Sequence, residues 1–505
     1  MSWDESALSL LLALPLFGAL ILLVAGRRAD KWATGFVAAV QGLGLALSLV
    51  LLAGFDTDRS GEMQFVVDGQ WVPELDLHFR LGVDGVSLPL VVLTSLLGFL
   101  GAVYTMRHLP EPGRPRAFTG LLLLLQVGML GTSLSLDLLL FFVFFEVVLI
   151  PMWFLIAFWG QGERRKAANV FILYTVLGSM VMLAGFLWVW SQTGTTDMVA
   201  LATLGGAEIS SSVQLGAVLL IGVGLAVKTP MWPLHTWLPD AHTAAPTVGS
   251  VLLAGVLLKM GTYGMARIAI PILPEGAASV APYVAALAVV GIIYGSLASY
   301  GQRDLKRLIA FSSVGHMGFV LFGLSTLDPV GVNAALFGNI AHGLITGLLF
   351  FVVGGIKERT HTTVIQDLPR GLYQKAPRLG FIFGFACIAS LGLPGLAGFW
   401  GEFLALLGAY TPGVPERFLY RVLLVIAAVG MVLTAAYFLR IMRRVGQGRA
   451  QGKPFADLTA SEAASWLPLA GLIVVLGVFP GLLFNLTGAP VERWLAPTSI
   501  AAQED

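Results

Sequence analysis

Six ionisable residues stand inside long apolar runs of this sequence, and each needs a physical reason to be there. They are Glu146, Lys228, Lys259, His316, His342 and Glu402. A charged side chain at the centre of a lipid bilayer costs several kcal/mol, so such residues are retained where they pair with one another or carry ions or protons. All three residue types can take up and release a proton. The chemistry that this set indicates is proton transfer.

The choice of lysine over arginine supports that interpretation. Both cations of the set are lysines, although arginine is the commoner basic residue of the chain. Arginine cannot release its proton in a protein, whereas a lysine removed from water can. A carboxylate such as Glu146 near Lys228 would hold the lysine protonated, and moving the carboxylate away would let the proton go. Glutamate–lysine pairs could also do no more than pin helices together, and that alternative stays open.

The two histidines fall deep within their apolar runs. At a rise of 1.5 Å per residue, His316 and His342 lie about 17 to 18 Å from the start of their segments. We predict that they are protonatable groups that bridge, with water, between two interrupted helices. They could instead ligate a haem between neighbouring helices, or form hydrogen bonds between helices.

Two of the apolar runs contain residues that helices disfavour. The segment VKTPMWPLHTWLPDAHTAAP, residues 227–246, places prolines directly after Lys228. The segment GLPGLAGFWGE, residues 392–402, places glycines around a proline before Glu402. Proline removes a helical hydrogen bond, so both segments are predicted to be discontinuous helices.

Other polar residues stand near the ends of the runs. Those around the exit of the first interrupted helix are His235, Asp240 and His242. A helix cap or a loop contact explains them as well as proton uptake does, and both interpretations stay open. Asp84 and Asp137 each begin an apolar run, where an N-cap is the expected role. Arg267 lies near the end of its run and is expected to extend its head group to the membrane surface.

The elements that must hold these groups are membrane helices. The chain has 505 residues, of which 57% are hydrophobic and 12% are charged. Its apolar runs are about twenty residues long, enough to cross roughly 30 Å of hydrocarbon. We therefore predict an all-α polytopic membrane protein of about fourteen transmembrane helices, the last over residues 466–486. The outer connection of residues 56–81 contains FVVDGQWV, whose Asp-Gly step predicts a small hairpin.

Basic residues set the expected orientation. Most of the 30 lysines and arginines fall in alternate connections. Basic loops remain on the cytoplasmic side, so both termini are predicted on the outer side. No cleavable leader is recognised, so the first helix is expected to insert by itself. The net charge of +1 gives no sign of nucleic-acid binding, and the single cysteine, Cys387, can build neither a disulfide framework nor an iron–sulfur cluster.

The interrupted helices are five spans apart. Broken helices at corresponding places in two halves are the sequence sign of inverted repeats with an ion site between them. We predict an N-terminal unit of three helices with an outer loop, two inverted five-helix repeats that each contain a discontinuous helix, and a C-terminal helix with a tail. Their bounds are residues 1–116, 117–270, 281–442 and 443–505.

The segments around these residues resemble a known family. VKTPMWPLHTWLPDAHTAAPTVGSVLLAGVLLKMG, QRDLKRLIAFSSVGHMGFV and LGLPGLAGFWGEF are similar to the proton-translocating antiporter-like subunits of respiratory complex I, the NADH:quinone oxidoreductase. The resemblance extends over about residues 80–450, with the motifs in the same order. It implies a protein of the bacterial inner membrane that couples electron transfer in other subunits to proton pumping.

The resemblance also implies roles at matching positions. Glu146 would modulate Lys228 of the broken seventh helix, and Lys259 would connect the two halves. His316 and His342 would belong to a central hydrophilic axis. These residues would together form a relay for protons.

Glu402 would be the terminal group of the second half-channel. The L-type and N-type subunits of complex I and the multisubunit cation/proton antiporters usually have lysine at that position. The chain is also too short for the long lateral helix of the L-type subunit. Both features favour a different branch of the family.

No cofactor or metal is expected in this chain. The resemblance places NADH, FMN, iron–sulfur clusters and quinone in partner subunits, with L-type and N-type neighbours beside the chain in the bilayer. A subunit of a cation/proton antiporter driven by an ion gradient is the alternative function. Related hydrogenase or cyanobacterial NADH-dehydrogenase-like complexes, and a purely structural membrane spacer, are further alternatives.

Overall fold

The chain folds into a bundle of membrane helices with one small hairpin. In this computed structural model residues 3–75, 77–450 and 456–504 are described. The N-terminal elements are α1 (Trp3–Ala25), α2 (Ala33–Gly54), the strands β1 (Gln64–Val72) and β2 (Leu77–Val83), and α3 (Ser87–Thr105). Short 3₁₀ helices cover Gly26–Lys31, Thr57–Arg59 and Pro73–Leu75.

The next part of the chain is divided into many shorter helices. They are α4 (Pro115–Leu134), α5 (Leu138–Val147), α6 (Leu149–Trp159), α7 (Arg164–Thr193), α8 (Met198–Leu204), α9 (Ser211–Lys228), α10 (Trp237–Ala244), α11 (Thr247–Leu252), α12 (Leu258–Gly264) and α13 (Ile270–Ile272). Two π-helical turns, Leu253–Leu257 and Met265–Ala269, join α11, α12 and α13 into one span.

The last part contains longer helices and a second interruption. Its elements are α14 (Pro274–Gly301), α15 (Leu305–Ser325), α16 (Pro329–Thr360), α17 (Leu372–Lys375), α18 (Pro377–Ser390), α19 (Ala397–Tyr410), α20 (Arg417–Ile441), α21 (Ala460–Val478) and α22 (Gly481–Glu504). A π-helical turn, Met442–Gly446, continues α20.

The predicted number and class of membrane helices are confirmed. Within the described residues, 13 helical segments are long and apolar enough to cross a membrane. A further span is made by α18 and α19, which are too short to be counted separately. The two predicted discontinuous helices are observed as α9 with α10 and α18 with α19. The inverted relation between the two five-helix units and the bounds of the four units stay predictions.

Three spans form the centre of the bundle. The most apolar windows of Thr247–Ile272, α15 and α16 are each 94% buried, whereas those of α9 and α14 are 50% buried. These three central spans carry Lys259, His316 and His342. The other spans surround them and separate their side chains from lipid. The ionisable residues are therefore enclosed by protein on several sides.

The span formed by α5 and α6 is interrupted at Val148. Pro151 has no N–H with which to bond the carbonyl of Val147, and its ring crowds that carbonyl, so the helix breaks one turn before the proline. Glu146 lies in the last turn of α5, directly at this interruption. The backbone next to Glu146 is therefore less regular than in a straight helix.

The end of α9 is satisfied although the helix stops inside the bundle. The indole N–H of Trp237 donates to the Val227 carbonyl at 2.9 Å, and the Met231 N–H donates to the Ala226 carbonyl at 2.9 Å. Carbonyls that a broken helix leaves free must find donors when no water is present. These bonds allow Lys228 to be the last residue of a membrane helix.

The predicted hairpin exists, but the prediction of its turn is wrong. β1 and β2 are antiparallel, and Asp68 and Gly69 lie within β1, opposite Arg80 and Phe79. The connection between the strands is the segment around Pro73–Leu75. The Asp68 carboxylate forms an ion pair with Arg80 at 2.7 Å across the strands. This cross-strand pair favours a register in which the Asp-Gly step is extended.

The predicted bounds of the last helix are also wrong. α21 ends at Val478, and α22 begins at Gly481. Pro480 separates them because the residue before a proline is driven out of the helical region, and Phe479 has φ −121° and ψ 64°. α22 then packs over the connection between α2 and β1, where Arg493 donates to the Gly61 carbonyl at 2.8 Å.

Arg267 does not extend to the membrane surface, so that prediction is wrong. It is 4% exposed, forms an ion pair with Asp84 at 2.5 Å, and lies 4.8 Å from the ring centroid of Trp494. The presence of α22 over this end of the helix explains the burial. Asp137 is the N-cap of α5, as predicted, and accepts the Leu139 N–H at 2.9 Å. The N-cap position of α3 is Val86, but the Asp84 carboxylate accepts the N–H of Ser87, the first residue of that helix, at 2.9 Å.

The Arg267–Asp84 pair yields a stability prediction. Arg267→Met should lower stability by about 3–5 kcal/mol, because it leaves a buried carboxylate without its cation. The double substitution Asp84→Asn with Arg267→Met removes both charges and keeps an oxygen for the cap, so it should recover most of the loss. The measurement is thermal denaturation of the detergent-solubilised assembly that contains the tagged full chain. A double variant as unstable as the single one would contradict the explanation.

Candidate functional site

Lys228 ends α9 inside the protein without a hydrogen bond. It is 1% exposed, and its Nζ has no hydrogen-bond partner among the described residues. The centroid of the Phe145 ring lies 4.5 Å from Nζ. The Glu146 carboxylate lies within electrostatic range of Lys228, and its buried Oε1 likewise lacks a hydrogen-bond partner within the described chain. The two groups attract each other without a direct hydrogen bond.

Lys259 lies in the central span and is directly bonded. Its Nζ contacts Nδ1 of His342 at 2.6 Å and donates to the Ala254 carbonyl at 2.5 Å. Ala254 belongs to the π-helical turn Leu253–Leu257. Such turns widen the helix and occur often at functional sites. One turn of α16 before His342, Asn339 accepts a hydrogen bond from Thr262 at 2.9 Å.

His316 and Glu402 form the other end of the same group. His316 Nδ1 lies 2.7 Å from Oε1 of Glu402, and its Nε2 lies 3.0 Å from the hydroxyl of Ser390. The second carboxylate oxygen of Glu402, Oε2, has no hydrogen-bond partner in the described part of the chain. Gly392 has a positive φ of 69° at the break of this span, and a Cβ there would lie 2.8 Å from that oxygen.

The two histidine rings connect these pairs. Their centroids are 5.8 Å apart, and a cavity of about 30 Å³ lies beside both rings. A water molecule needs about 10–15 Å³ of such space, so the cavity has room for about two. Lys259, His342, His316 and Glu402 therefore follow one another in space, with direct contacts at both ends and a water-sized space in the middle.

The helices that carry Lys228 and Lys259, α9 and α12, pack closely against each other. α9 and α12 meet at Gly261, where a Cβ would lie 2.3 Å from Oγ1 of Thr229 and 2.6 Å from the Leu225 carbonyl oxygen. A glycine at this position therefore brings the helix of Lys259 against the end of the helix of Lys228. No direct bond between the two lysines is recorded within the described residues.

The three residues around the exit of the broken helix are in different surroundings. His235 is 2% exposed and packs edge-on against Tyr294 at 4.9 Å between centroids. Asp240 is partly exposed and pairs with Arg307 at 2.7 Å, so an ion pair between α10 and α15 is its observed environment. His242 is fully buried and stacks on Phe350 at 4.7 Å. Only His242 faces the central spans without a hydrogen bond to either ring nitrogen among the described residues.

Sequence reasoning missed three polar residues next to the relay. Ser390 could not be assigned because a serine inside a helix most often bonds its own backbone. Asn339 could have been found, since it stands one helical turn before His342 on the same face. Lys306 is 6% exposed. In the sequence it stands among arginines in a basic connection, so its burial could not be recognised there.

One further trio could in principle hold a metal ion. Among the described residues, ligand atoms of His108, Glu358 and Glu462 all lie within 4.8 Å of one another. Both oxygens of Glu462 are already bound by Arg359, at 2.6 and 2.7 Å, and His108 contacts Glu358 at 2.6 Å. A charged guanidinium on the third ligand disfavours a cation there, so the trio is explained as an ion-pair network.

Comparison with known proteins defines the class. The model of the family NADH:quinone oxidoreductase/Mrp antiporter, TM, matches residues 135–434. This range contains every residue of the relay described above. The chain therefore belongs to this family of antiporter-like membrane subunits, as the sequence resemblance predicted.

Full-length relatives identify the branch. The chain is 41% identical to NADH-quinone oxidoreductase subunit M of Rhodobacter capsulatus, over 97% of this chain and 96% of the relative. It is 38% identical to NADH-ubiquinone oxidoreductase chain 4 of Marchantia polymorpha, over 97% of each. A chain in the solved respiratory complex I from Thermus thermophilus superposes with a TM-score of 0.87 at 30% identity, over 97% of this chain and 99% of that one. The chain thus groups with subunit M, a membrane subunit of NADH:quinone oxidoreductase.

The contact at Gly261 gives a prediction for the site. Gly261→Ala should force α9 and α12 apart at a cost of about 1–3 kcal/mol, because the added Cβ meets backbone. The gap between Lys228 and Lys259 widens, so NADH-driven proton transport in inverted membrane vesicles should fall although every titratable group remains.

Gly222→Ala on α9 is the matched control. Nothing lies within 4 Å of a Cβ at Gly222, so this variant should transport protons at the normal rate. The amount of assembled complex is measured for both variants. Normal transport by an assembled Gly261→Ala variant would show that the close approach of the two helices is not required.

Proposed function

We propose that this chain moves protons along a buried path while electron transfer takes place in other subunits. Protons reach Lys228, pass to Lys259, continue through His342 and His316, and leave by Glu402. The observation that carries the proposal is the sequence of contacts from Lys259 to Glu402, with distances of 2.6 Å and 2.7 Å at its two ends. Groups at such distances can exchange a proton directly.

The chemistry of each group fits that role. Lys259 donates to a carbonyl and to an imidazole, and neither is an anion that would fix its proton. Imidazole can accept a proton on one nitrogen and release one from the other. The unbonded Oε2 of Glu402 supplies an acceptor at the end of the path. If these groups served only as fixed pairs of opposite charge, each buried charged group would be expected to have all of its hydrogen bonds.

Glu146 and Lys228 are proposed as the control element. Among the described residues, Nζ of Lys228 and Oε1 of Glu146 have no hydrogen-bond partner, and the two side chains attract each other electrostatically. A small movement of α5 at its interruption would change that attraction. A weaker attraction favours the neutral amine and releases the proton toward Lys259. Electron transfer elsewhere in the complex would act through such a movement.

The orientation and surroundings follow from the same proposal. The connections rich in lysine and arginine lie on the cytoplasmic side of a bacterial inner membrane, and both termini lie on the outer side. L-type and N-type subunits are the neighbours. NADH, FMN, iron–sulfur clusters and quinone are bound by other subunits of the complex. The four units predicted from the sequence, including two inverted repeats, provide the two halves of the path.

A subunit of a cation/proton antiporter is the second candidate. The matched family includes the Mrp antiporters, so the fold by itself fits both. Glu402 favours the redox-driven function, because the antiporters usually have lysine there. If the chain were an antiporter subunit, the same path of glutamates and lysines would exchange protons against a cation gradient.

Purification of the native assembly separates these candidates. The tagged chain is extracted gently from its membrane and tested for flavin, iron–sulfur signals and NADH-dependent quinone reduction. All three are expected to accompany it. An assembly of membrane subunits without electron-transfer activity would contradict the redox-driven function and favour the antiporter.

Substitutions of Lys228 test the proton path. Lys228→Met should slow proton transfer by roughly two orders of magnitude. Without a lysine to bind it, the proton meets a barrier of about 2.5–3.5 kcal/mol at mid-membrane. Lys228→Arg should be impaired as well, since arginine keeps the charge but does not release the proton. NADH-driven acidification and quinone reduction are recorded on the same vesicles.

The double substitution of Lys228→Met with Glu402→Gln tests the structural alternative. A membrane spacer would keep normal ion movement when both residues are neutral. The proposal requires that transport be lost in an assembled complex that still carries its cofactors. Normal pumping by any of these assembled variants would remove the central claim.

A further inference from the structure

An apolar groove runs along the surface of the bundle between α1, α4 and α6. Both α1 and α6 pack against α4, so α4 forms the floor of the groove and the other two helices form its walls. Its volume is about 420 Å³, within the range of about 300–1,000 Å³ that is usual for ligand sites. Most of its lining residues are apolar, among them Leu20 and Leu23 of α1, Leu124 of α4, and Phe154 and Phe158 of α6. A ligand of this groove must therefore have a long apolar part.

The floor of the groove contains small residues. Ala117 and Gly120 both line it, one turn apart on α4. A Cβ at Gly120 would meet only one atom within 4 Å, Cδ1 of Leu22 at 3.9 Å. The space above α4 is therefore open to a ligand, and a leucine at position 120 would extend into the groove and fill part of it.

Two arginines stand at one end of this groove. Arg114 is the N-cap of α4, Arg116 lies in the first turn of that helix, and both line the groove. No hydrogen bond or ion pair of either guanidinium is recorded among the described residues. The planar guanidinium matches the geometry of a phosphate group and can bind it through two parallel N–H donors. The end of the groove thus offers two cations with donors that suit a phosphate.

The chain around the two arginines is held in place by its neighbours. The indole N–H of Trp159, the last residue of α6, donates to the Gly113 carbonyl at 2.7 Å. The backbone N–H of Arg116 donates to the Asp30 carboxylate at 3.2 Å, so this nearby acid contacts backbone. Tryptophan is common at the level of lipid head groups, and Trp159 also lines the groove. The arginine end of the groove is therefore expected at the surface of the membrane.

The length of the groove matches one leaflet of a bilayer. From Arg116 to Leu124 the rise along α4 is about 12 Å at 1.5 Å per residue. One leaflet contributes about 15 Å, half of the roughly 30 Å of hydrocarbon. The groove thus extends from the head-group level to near the middle of the membrane. Inorganic phosphate would occupy only the arginine end, and a lipid of zero net charge brings a cation of its own to that end. A phospholipid with net negative charge suits both parts.

We propose that the groove between α1, α4 and α6 binds one anionic phospholipid. Arg114 and Arg116 hold its phosphate, and one acyl chain lies along the small residues of α4. Each basic residue at a membrane surface strengthens the attraction of anionic lipid by about fivefold, so the two arginines favour it over a lipid of zero net charge by roughly twenty-fivefold. The lipid connects α1 with α6, the second half of the span that carries Glu146. This inference does not depend on the proton path.

The experiment uses the whole purified assembly in nanodiscs of phosphatidylcholine. A small fraction of phosphatidylglycerol with a photoreactive group in its acyl chain is added, and the cross-linked peptides are identified by mass spectrometry. Photoreactive phosphatidylcholine at the same fraction is the comparison. Phosphatidylglycerol should label the groove-lining segments of α1, α4 and α6 roughly twenty-five times more strongly than phosphatidylcholine does.

Two variants separate the head-group end from the acyl-chain part. Arg114→Gln with Arg116→Gln should lower labelling by phosphatidylglycerol to the level of phosphatidylcholine, because the charges that hold the phosphate are gone. Gly120→Leu should abolish the labelling of α4, although both arginines remain, because its side chain takes the place of the acyl chain.

Arg165→Gln with Arg443→Gln is the matched control. These two arginines are exposed, stand in other basic connections and do not line the groove. Their loss removes the same charge from the chain, and labelling of the groove should stay unchanged. The amount of assembled complex and its quinone reduction are recorded for every variant. If Gly120→Leu does not assemble, the arginine variant and this control decide the question.

Three results would overturn the site. Equal labelling by both lipids, unaffected by loss of the arginines, would show that the groove takes lipid of any charge. Absence of labelling by either lipid would show that a neighbouring membrane subunit covers it. Displacement of the photoreactive phosphatidylglycerol by excess glycerol phosphate would show that the arginines bind a soluble phosphate. Each of these results leaves the proposed function untouched, since pumping is not measured.

Discussion

The free-energy cost of a charge without a partner in hydrocarbon is the constraint on which this structure depends. The three most buried spans carry Lys259, His316 and His342, and other helices surround them. Where partners exist, they are carbonyls, imidazoles or a carboxylate at hydrogen-bond distance. Where the described residues supply no hydrogen-bond partner, as at Lys228 and at Oε2 of Glu402, the protonation state is the variable that can relieve the cost. The same constraint that shapes the fold therefore makes proton transfer its natural chemistry.

Arginine and lysine are used for different purposes in this chain. Buried or half-buried arginines form direct ion pairs with carboxylates: Arg267 with Asp84, Arg307 with Asp240, and Arg359 with Glu462. The buried lysines contact an aromatic ring, a carbonyl or a histidine instead, as at Lys228, Lys306 and Lys259. Permanent charge is thus placed where helices must be held, and exchangeable charge is placed along the axis. The difference follows from the inability of arginine to lose its proton.

The broken helices bring backbone and side chains into the same small space. Trp237 and Met231 donate to the carbonyls of Val227 and Ala226, so these two carbonyls at the end of α9 are satisfied although the helix stops at Lys228. In the second half, the indole of Trp400 donates to the Gly477 carbonyl at 2.8 Å and ties α19 to α21. Glycines at 261 and 392 allow approaches that a Cβ would block. The path needs these local departures from regular helix.

The sequence by itself determined the class of fold and singled out the buried ionisable residues that are proposed as the relay. Apolar runs of membrane length, prolines within two of them and ionisable residues at mid-span are local patterns, so their physical cost can be estimated without a structure. The tertiary structure decided which groups meet. It joined Lys259 to His342 and His316 to Glu402 across more than eighty residues of chain, and it placed Lys306 beside a cavity. It also moved Arg267 from the membrane surface into an ion pair, because α22 covers that position. Contacts between distant segments depend on how helices pack, and no periodicity in a single chain records that.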